Sequence, residues 1–475
     1  MWLLIDTIRT YDGLVLAYAL LVCATYFFLL VVSALEVRTQ VRARAYAGID
    51  DLFNSPLTPG ISLIAPAFNE EIGVLQSVRN MLNLRYPVYE VVIVNDGSRD
   101  RTLDVLKEAF QLRKINAAYS PTIATAPVRA LYVSTIEPNL TIVDKENGGR
   151  ADALNAGVNA ARMPLVCCVD ADSVLERDAL LWVAKPFVEQ PELVVASGGT
   201  IRIANGLRID GGSVTEVRLP PTALPMFQVI EYMRAFLTGR TAWSRLNCLP
   251  LISGAFGLFR RDLMLEVGGF RRETIGEDAE LIAHLHGYLR DQRRPYRCVF
   301  VPDAMSWTEA PETARVLRRQ RARWHSGLTE VLWTHRRLIF QPRYGAVGLL
   351  AYPYFFLVEF LAPLIEGTGY LVFGASLAAG LLNVQLALLV MVVSVAYGVL
   401  ITMGAVVLEE YAYQRYPRWR DLVRLSAFAV AENFGYRQLT VLWRLEGIWK
   451  VLRKKQSWGA MERRGLGASA VATKH

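Results

Sequence analysis

The stretch Leu165-Val-Cys-Cys-Val-Asp-Ala-Asp-Ser-Val-Leu175 decides how the rest of the chain is read. Its apolar half, Leu165 to Val169, is short and flanked by polar residues, the pattern of a buried strand in a parallel sheet. It ends in Asp170-Ala171-Asp172, two carboxylates one residue apart at the strand's carboxyl end, where open α/β sheets bind ligands. Two such groups repel each other unless a cation sits between them. Hard oxygen ligands of this kind suit Mg²⁺ or Mn²⁺, which in turn grip a diphosphate. An Asp-x-Asp alone is also an ordinary solvated turn with a helix cap, so its weight rests on its surroundings.

Those surroundings repeat the theme. Gly60-Ile-Ser-Leu-Ile-Ala65 reads as a strand running into Pro66-Ala-Phe-Asn-Glu-Glu71 and a helix that carries Ile72, Leu75 and Val78. Glu90-Val-Val-Ile-Val-Asn95 reads as a second strand, followed by the turn Asp96-Gly97-Ser98 and a helix from about Thr102. Val128 to Val133 reads as a third. Asn147-Gly-Gly-Arg-Ala-Asp-Ala-Leu-Asn155 opens the helix that leads into Leu165. Strands alternating with helices imply a parallel sheet with right-handed crossovers. Polar groups gather at its strand ends: Asn69 and Glu70, then Asp96, then Asp170 and Asp172. The chain has no Gly-x-Gly-x-x-Gly and no phosphate-loop signature, so a dinucleotide oxidoreductase or a P-loop ATPase lacks its usual cradle. A diphosphate bound here must be held by metal and basic side chains.

Composition points to the membrane. The chain has 475 residues, 53% of them hydrophobic, and a mean hydropathy of +0.25. No charge interrupts Leu14 to Leu35, long enough to cross about 30 Å of hydrocarbon. Asp6, Arg9 and Asp12 precede it and Arg38, Arg42 and Arg44 follow, which places its carboxyl side in the cytoplasm. The length and the flanking charges argue against a cleaved signal peptide. The net charge of +8 sits largely beside apolar segments, at Arg38 to Arg44, Arg336-Arg337 and Lys450 to Lys455. Anionic headgroups explain it better than nucleic acid does. Five cysteines without metal-ligand spacing argue against a disulfide framework or a zinc site; Cys167 and Cys168 read as strand packing.

Toward the carboxyl end, Val347 to Phe373 and Ala375 to Leu408 read as a membrane hairpin that returns to the cytoplasm at Glu409, consistent with Arg415, Arg418 and Arg420. Glu359 and Glu366 lie within its first arm. They either line a polar, glycan-conducting path or, for one of them, sit near the headgroups. Leu422 to Trp443 holds Arg424, Glu432 and Arg437 and reads as interfacial or re-entrant. Three spans are expected, with four as the alternative. Phe227 to Leu237, apolar and charged at helical spacing, reads as an amphipathic helix against the membrane surface or as a soluble-core helix.

Taken together, Pro66-x-x-Asn-Glu, Asn95-Asp-Gly-Ser, Gly148-Gly-Arg-Ala-Asp-Ala-Leu-Asn and Asp170-x-Asp resemble family 2 glycosyltransferases with a GT-A fold. Ser253-Gly-Ala-Phe-Gly-Leu-Phe, Gly276-Glu277-Asp278 and Gln320-Arg-Ala-Arg323-Trp324 resemble the membrane-bound, processive branch, which makes poly-β-1,6-N-acetylglucosamine, hyaluronan, chitin and cellulose. The resemblance runs from about Ile61 to Trp324 and implies an α/β GT-A domain with α-helical transmembrane segments. The expected division is a transmembrane helix and basic flank in 1–45 and a cytoplasmic GT-A domain with interfacial helices in 55–340. Two transmembrane helices follow in 341–410, and interfacial or re-entrant helices with a basic tail in 411–475. This makes a multi-pass protein of the cytoplasmic membrane, whose chain ends too soon for an appended cyclic-dinucleotide receptor domain.

The resemblance also implies chemistry. A UDP-sugar, UDP-GlcNAc or UDP-glucose, would donate to a polysaccharide or glycolipid acceptor with inversion. Asp278, ahead of a predicted helix Ala279 to Leu289, would be the general base. Asp172 would bind Mg²⁺ or Mn²⁺, with Asp170 supporting metal or nucleotide, and Glu70 and Asp96 would contact uridine. Arg150 would contact the nucleotide too; it stands where many relatives carry Lys, and a planar guanidinium bonds differently from an ammonium. Glu277 joins Gln320, Arg323 and Trp324 in holding acceptor and diphosphate. The last three share one face of a helix beginning near Pro311, where an arginine pairs with diphosphate and an indole stacks on a sugar. Two other classes stay in view, a transferase that loads one sugar onto a lipid and a catalytically silent membrane scaffold.

Overall fold

A computed structural model describes residues 2–44, 46, 48–116, 119, 121–210, 213–382, 384–416 and 418–453. They divide into two compact units, one formed by residues 43–221 with 246–310 and the other by 2–42, 222–245 and 311–453. The basic tail expected beyond 453 lies outside the described residues.

The first unit is built on a ten-stranded sheet. Its strands, in chain order with a separate two-stranded ribbon, are β1 (Ile61–Ala67), β2 (Tyr89–Asp96), β3 (Leu112–Ile115), β4 (Val128–Ser134), β5 (Leu140–Lys145), β6 (Leu165–Val169), β7 (Val174–Leu175), β8 (Val194–Ile203), β9 (Arg208–Asp210), β10 (Ser213–Glu216), β11 (Phe256–Arg260) and β12 (Arg297–Thr308). The order across the sheet is β3-β4-β5-β2-β1-β6-β11-β8-β12-β7, and β9 pairs with β10. Around β1 the sheet is parallel, as expected: β2 and β6 flank it, and β5 adds beyond β2. Ile61, Leu63, Ile64, Ala65 and Ala67 are all buried, so both faces of this strand are covered.

The all-parallel expectation needs correction where β3, β4, β7 and β11 pair antiparallel. Val128–Ser134 does not continue the parallel series but forms a hairpin with β5, which the sequence reading missed. In addition, β11 inserts antiparallel between β6 and β8. That insertion matters for the site. Phe256 lies opposite Val169, so Gly254, two residues earlier, comes beside Asp170. Opposite it, the helix Arg150–Ala160 lies close on β1, and a Cβ at Gly157 would stand 2.2 Å from Ile64 Cγ2. Glycine at that point lets the helix approach, which brings Arg150 at its first turn to the sheet edge.

The second unit is helical. Three of its helices are long and apolar enough to cross a membrane: Gly13–Arg44, Val347–Ala378 and Ala387–Tyr413. The hairpin break falls at Gly380 rather than near Gly374. Gly380 takes φ +68°, and Gly380 and Leu381 donate back to Leu377 and Ser376, the left-handed helix end that glycine favours. The segment 422–443 falls across two helices, Trp419–Ala431 and Tyr436–Leu452, of 13 and 17 residues. At 1.5 Å per residue these reach about 20 and 26 Å, short of a span.

Phe227–Leu237 belongs to this unit. It runs through Ala223–Tyr232 into a π-helical stretch, Met233–Arg240. There Ser33 Oγ donates to the Leu237 carbonyl at 2.6 Å, and Leu237 packs with Val37 and Ala412. Both carboxylates of the hairpin's first arm have arginine partners. Glu359 Oε2 accepts from Arg444 Nη2 at 3.0 Å and its Oε1 from Tyr354 at 2.8 Å, while Glu366 accepts from Arg437 Nη2 at 2.8 Å.

In the sheet unit, His286 is buried between Leu249 and Tyr296. Its Nε2 lies 2.8 Å from the Leu249 carbonyl and its Nδ1 2.6 Å from the Tyr296 hydroxyl. A carbonyl only accepts, so Nε2 carries the proton and Nδ1 accepts from Tyr296. Burial pushes this imidazole down to about 4 from 6.5. The unfolded chain therefore takes up the proton first, and stability is complete above pH 6.5 and lost as pH falls toward 4. Melting followed from pH 7 to 4.5 should show a steep acid decline in the wild type and a shallower one in His286→Gln.

Candidate active site

Two loops at the carboxyl edge of β1 and β2 are stitched together by short side chains. Asn69, at φ +56°, donates its N–H to Ser98 Oγ at 3.1 Å and accepts from the Arg99 N–H at 2.8 Å. The Glu70 N–H donates to Thr102 Oγ1 at 2.8 Å, and the Glu71 N–H to Asp100 at 3.2 Å. Burial alone would raise the Asp100 carboxyl, but hydrogen bonds from Thr102 and Glu71 outweigh it and hold it below its usual range. Glu70 itself is half-buried at this edge.

Behind these loops lies a buried ionic chain. Lys145, fully buried at the end of β5, reaches Asp96 and Asp152 at 2.6 Å each. Asp96 also accepts the Gly148 and Gly149 N–H groups at 3.0 and 2.9 Å and the Asn147 amide at 3.1 Å. Asp152 accepts from Arg272 at 3.1 Å and from the Ala126 N–H. Both oxygens of Asp96 thus shape the turn that launches the helix Arg150–Ala160.

Arg150 is the hub of the edge. Its Nε and Nη2 both donate to Asp170 Oδ1, at 3.0 and 2.7 Å, and Nη2 donates to the Gly254 carbonyl at 2.8 Å. Its Nη1 donates to Glu277, 127 residues away in sequence. Burial works against its charge, but Asp170, Glu277 and Asp278 overcome that and hold the guanidinium firmly protonated. Burial likewise pushes the Glu277 carboxyl up, against the pull of Arg150. The fork leaves no room for a side chain opposite, since a Cβ at Gly254 would stand 2.8 Å from both terminal nitrogens.

Asp278 lies in the first turn of Glu277–Asp291 and is half-buried. Its Oδ2 accepts the Gly254 N–H at 3.0 Å and its Oδ1 the Ala279 N–H at 2.8 Å. One glycine thus holds Arg150 through its carbonyl and Asp278 through its N–H. Asp170 and Asp172 follow the end of β6 by one and three residues, and Asp172 is half-buried. Among the described residues no three His, Cys, Asp or Glu side chains converge as a metal cage. One or two carboxylates completed by substrate phosphates is, however, how Mg²⁺ is commonly held, and this pair fits that pattern.

The structure therefore gathers Arg150, Asp170, Glu277 and Asp278 at one edge, with Asp96 and Glu70 on the loops that frame it. Gln320, Arg323 and Trp324 lie in the other unit, on the helix Ala314–Thr334. Gln320 is buried and Arg323 half-buried, and Trp324 is 43% exposed, unlike the core tryptophan of an ordinary amphipathic helix. Arg321, which the sequence reading passed over, stacks its guanidinium 4.5 Å from the Trp324 ring and pairs with Glu231. Gly254, Lys145, Asp152 and Arg272 were also missed. The signal was there for three of them, inside or beside the quoted glycine-rich motifs, but nothing in the sequence says which acidic group each one meets.

The sequence matches the family described as glycosyl transferase family 2 over residues 62–264 and glycosyl transferase family group 2 over residues 165–402, half of the chain. The chain belongs to the family 2 glycosyltransferases. Relatives include the poly-β-1,6-N-acetyl-D-glucosamine synthase of Staphylococcus aureus strain COL, 27% identical over 298 residues that make up 62% of this chain and 60% of that one. The Staphylococcus epidermidis synthase of the same name is 28% identical over 58% of this chain and 55% of the other. Each match thus spans less than two thirds of the relative. A mannosyltransferase from Pyrobaculum calidifontis, solved with GDP-Man and Mn²⁺, superposes with a TM-score of 0.55 at 18% identity, covering 91% of this chain and all of that one. It confirms the GT-A fold. With the three apolar helices and these relatives, the transferase is a membrane protein.

Lys145 is the member of the buried chain whose loss would cost most, because Asp96 would stay buried without its cation and Asp152 would keep only Arg272. Lys145→Met should destabilise the sheet unit by about 3–5 kcal/mol, read as a drop in melting temperature on the order of 10 °C. An unchanged melting temperature would mean the chain is not structural.

Proposed function

We propose that this transferase moves a sugar from a UDP-sugar onto the end of a growing β-linked polysaccharide, with inversion at the anomeric carbon. One observation carries the reading. Arg150 ties the Asp-x-Asp edge to the Glu277-Asp278 helix start, which supports a donor pocket and a base at one sheet edge. The names of the staphylococcal relatives support a polysaccharide product, and N-acetylglucosamine is the sugar they suggest.

The chemistry follows from the groups present. Asp278, oriented by two backbone N–H groups, takes the proton of the acceptor hydroxyl as its oxygen bonds to the anomeric carbon. On the opposite face the bond from that carbon to the diphosphate oxygen breaks, and UDP leaves with the electron pair. Asp172 and Asp170 would hold Mg²⁺ or Mn²⁺, whose Lewis acidity neutralises charge building on the diphosphate. Arg150 adds a fixed positive charge nearby, and Glu70 frames the nucleoside side of the edge. Trp324, 43% exposed, would offer a face on which a sugar of the acceptor stacks, with Arg323 and Gln320 on the same helix. In this reading the three apolar helices cross the cytoplasmic membrane, the sheet unit faces the cytoplasm and the donor arrives from there. Export of the chain between the helices is part of the same proposal.

The test is nucleotide release by detergent-purified protein, with Mg²⁺ or Mn²⁺, from UDP-GlcNAc, UDP-glucose and GDP-mannose in parallel. One UDP-sugar should be turned over, and Asp278→Asn should lower the rate about 10²–10⁴-fold while donor still binds. Turnover of GDP-mannose alone would overturn the donor assignment, and a fully active Asp278→Asn would overturn the base.

A further inference from the structure

The arrangement around Arg150 raises a question of charge. The guanidinium places two N–H donors on one oxygen of Asp170, the same carboxylate expected to help hold the metal. It is pinned on its other sides by Glu277 and by the Gly254 carbonyl. A divalent cation on Asp170 would therefore bind next to a cation that cannot give up its proton. Two adjacent positive charges repel as strongly as the carboxylate attracts either of them. A diphosphate relieves this, because it brings negative charge for both at once.

We infer that Arg150 is a resident counter-cation of the site, which keeps the metal from binding alone and couples its entry to that of the nucleotide diphosphate. The inference rests on the transferase reading above and assigns Arg150 a positioning role in it. With no donor bound, Arg150 neutralises Asp170 and Glu277 and so holds β6, the turn before β11 and the helix Glu277–Asp291 in register. A diphosphate bound with its metal would offer the guanidinium new acceptors and leave Asp170 to help hold the cation. A lysine could not do the same. One ammonium has no planar fork to hold Asp170, Glu277 and the Gly254 carbonyl together, so an enzyme with Lys at this position would admit metal more independently of nucleotide.

Two variants separate the charge of Arg150 from its seat. Arg150→Met removes the cation but leaves Glu277 buried without it, which endangers folding. Gly254→Ala keeps every charge, and its backbone lies outside the left-handed region. Its new Cβ would stand 2.8 Å from both terminal nitrogens and drive the guanidinium off.

The measurement is Mn²⁺ affinity of the full-length protein by electron paramagnetic resonance, with and without UDP, and UDP affinity by calorimetry. Wild type should bind Mn²⁺ weakly alone and far more tightly with UDP. In Gly254→Ala, and in Arg150→Met if it folds, Mn²⁺ alone should bind about tenfold or more tighter, the scale of one adjacent charge. The gain from UDP should shrink by the same factor, as linkage requires. Mn²⁺ affinity unchanged in Gly254→Ala, with UDP still bound, would overturn the inference and leave the transferase reading standing. A wild type that binds neither UDP nor Mn²⁺ with UDP would overturn both.

Discussion

One guanidinium among several carboxylates is the constraint on which the sheet edge depends. Arg150 reaches Asp170, Glu277 and the Gly254 carbonyl from the first turn of its helix, and each partner belongs to a different piece of chain. Its position is set from behind by Lys145, Asp96 and Asp152, and from below by Gly157, which lets the helix settle on β1. Charges buried this deeply contribute little net stability, because desolvation cancels most of the attraction. Removing one partner is what costs. The network therefore fixes geometry more than it adds stability.

The helical unit follows the same rule in a drier setting. Glu359 and Glu366 meet Arg444 and Arg437 from the helix Tyr436–Leu452, and Glu432 meets Arg234 and Thr402. A carboxylate on an apolar helix is costly unless it has a partner. Of the charges that made 422–443 hard to read, Arg437 is one of those partners and Glu432 is itself paired, with Arg234. The short helices they sit on are thereby fastened to long apolar ones.

Much of this was legible in the sequence, and the failures share a cause. β6 runs from Leu165 to Val169 as its apolar run suggested, and the Asp-x-Asp edge, the helix at Arg150 and the Glu277-Asp278 helix start lie where their motifs placed them. β5 was missed because its Asp144 and Lys145 break the apolar pattern, yet both are buried. Asn95 donates to Asp144 at 2.7 Å, and Lys145 meets two aspartates. A strand that carries paired charges inside does not look like a strand. The antiparallel entry of β11 was hidden for another reason, since pairing direction leaves no trace in the composition of a short apolar run. Gly254 and Arg321 act only through partners far away in the chain, and no local pattern names those.

Whether the proposed polymer elongation takes place is read from the length of the products. Purified protein would be given its UDP-sugar with acceptor in excess, and products sized after a small fraction of the donor is consumed. Processive elongation should give long β-linked chains beside acceptors that have gained nothing. Acceptors that each gain a single sugar, with no longer product at any time, would contradict it.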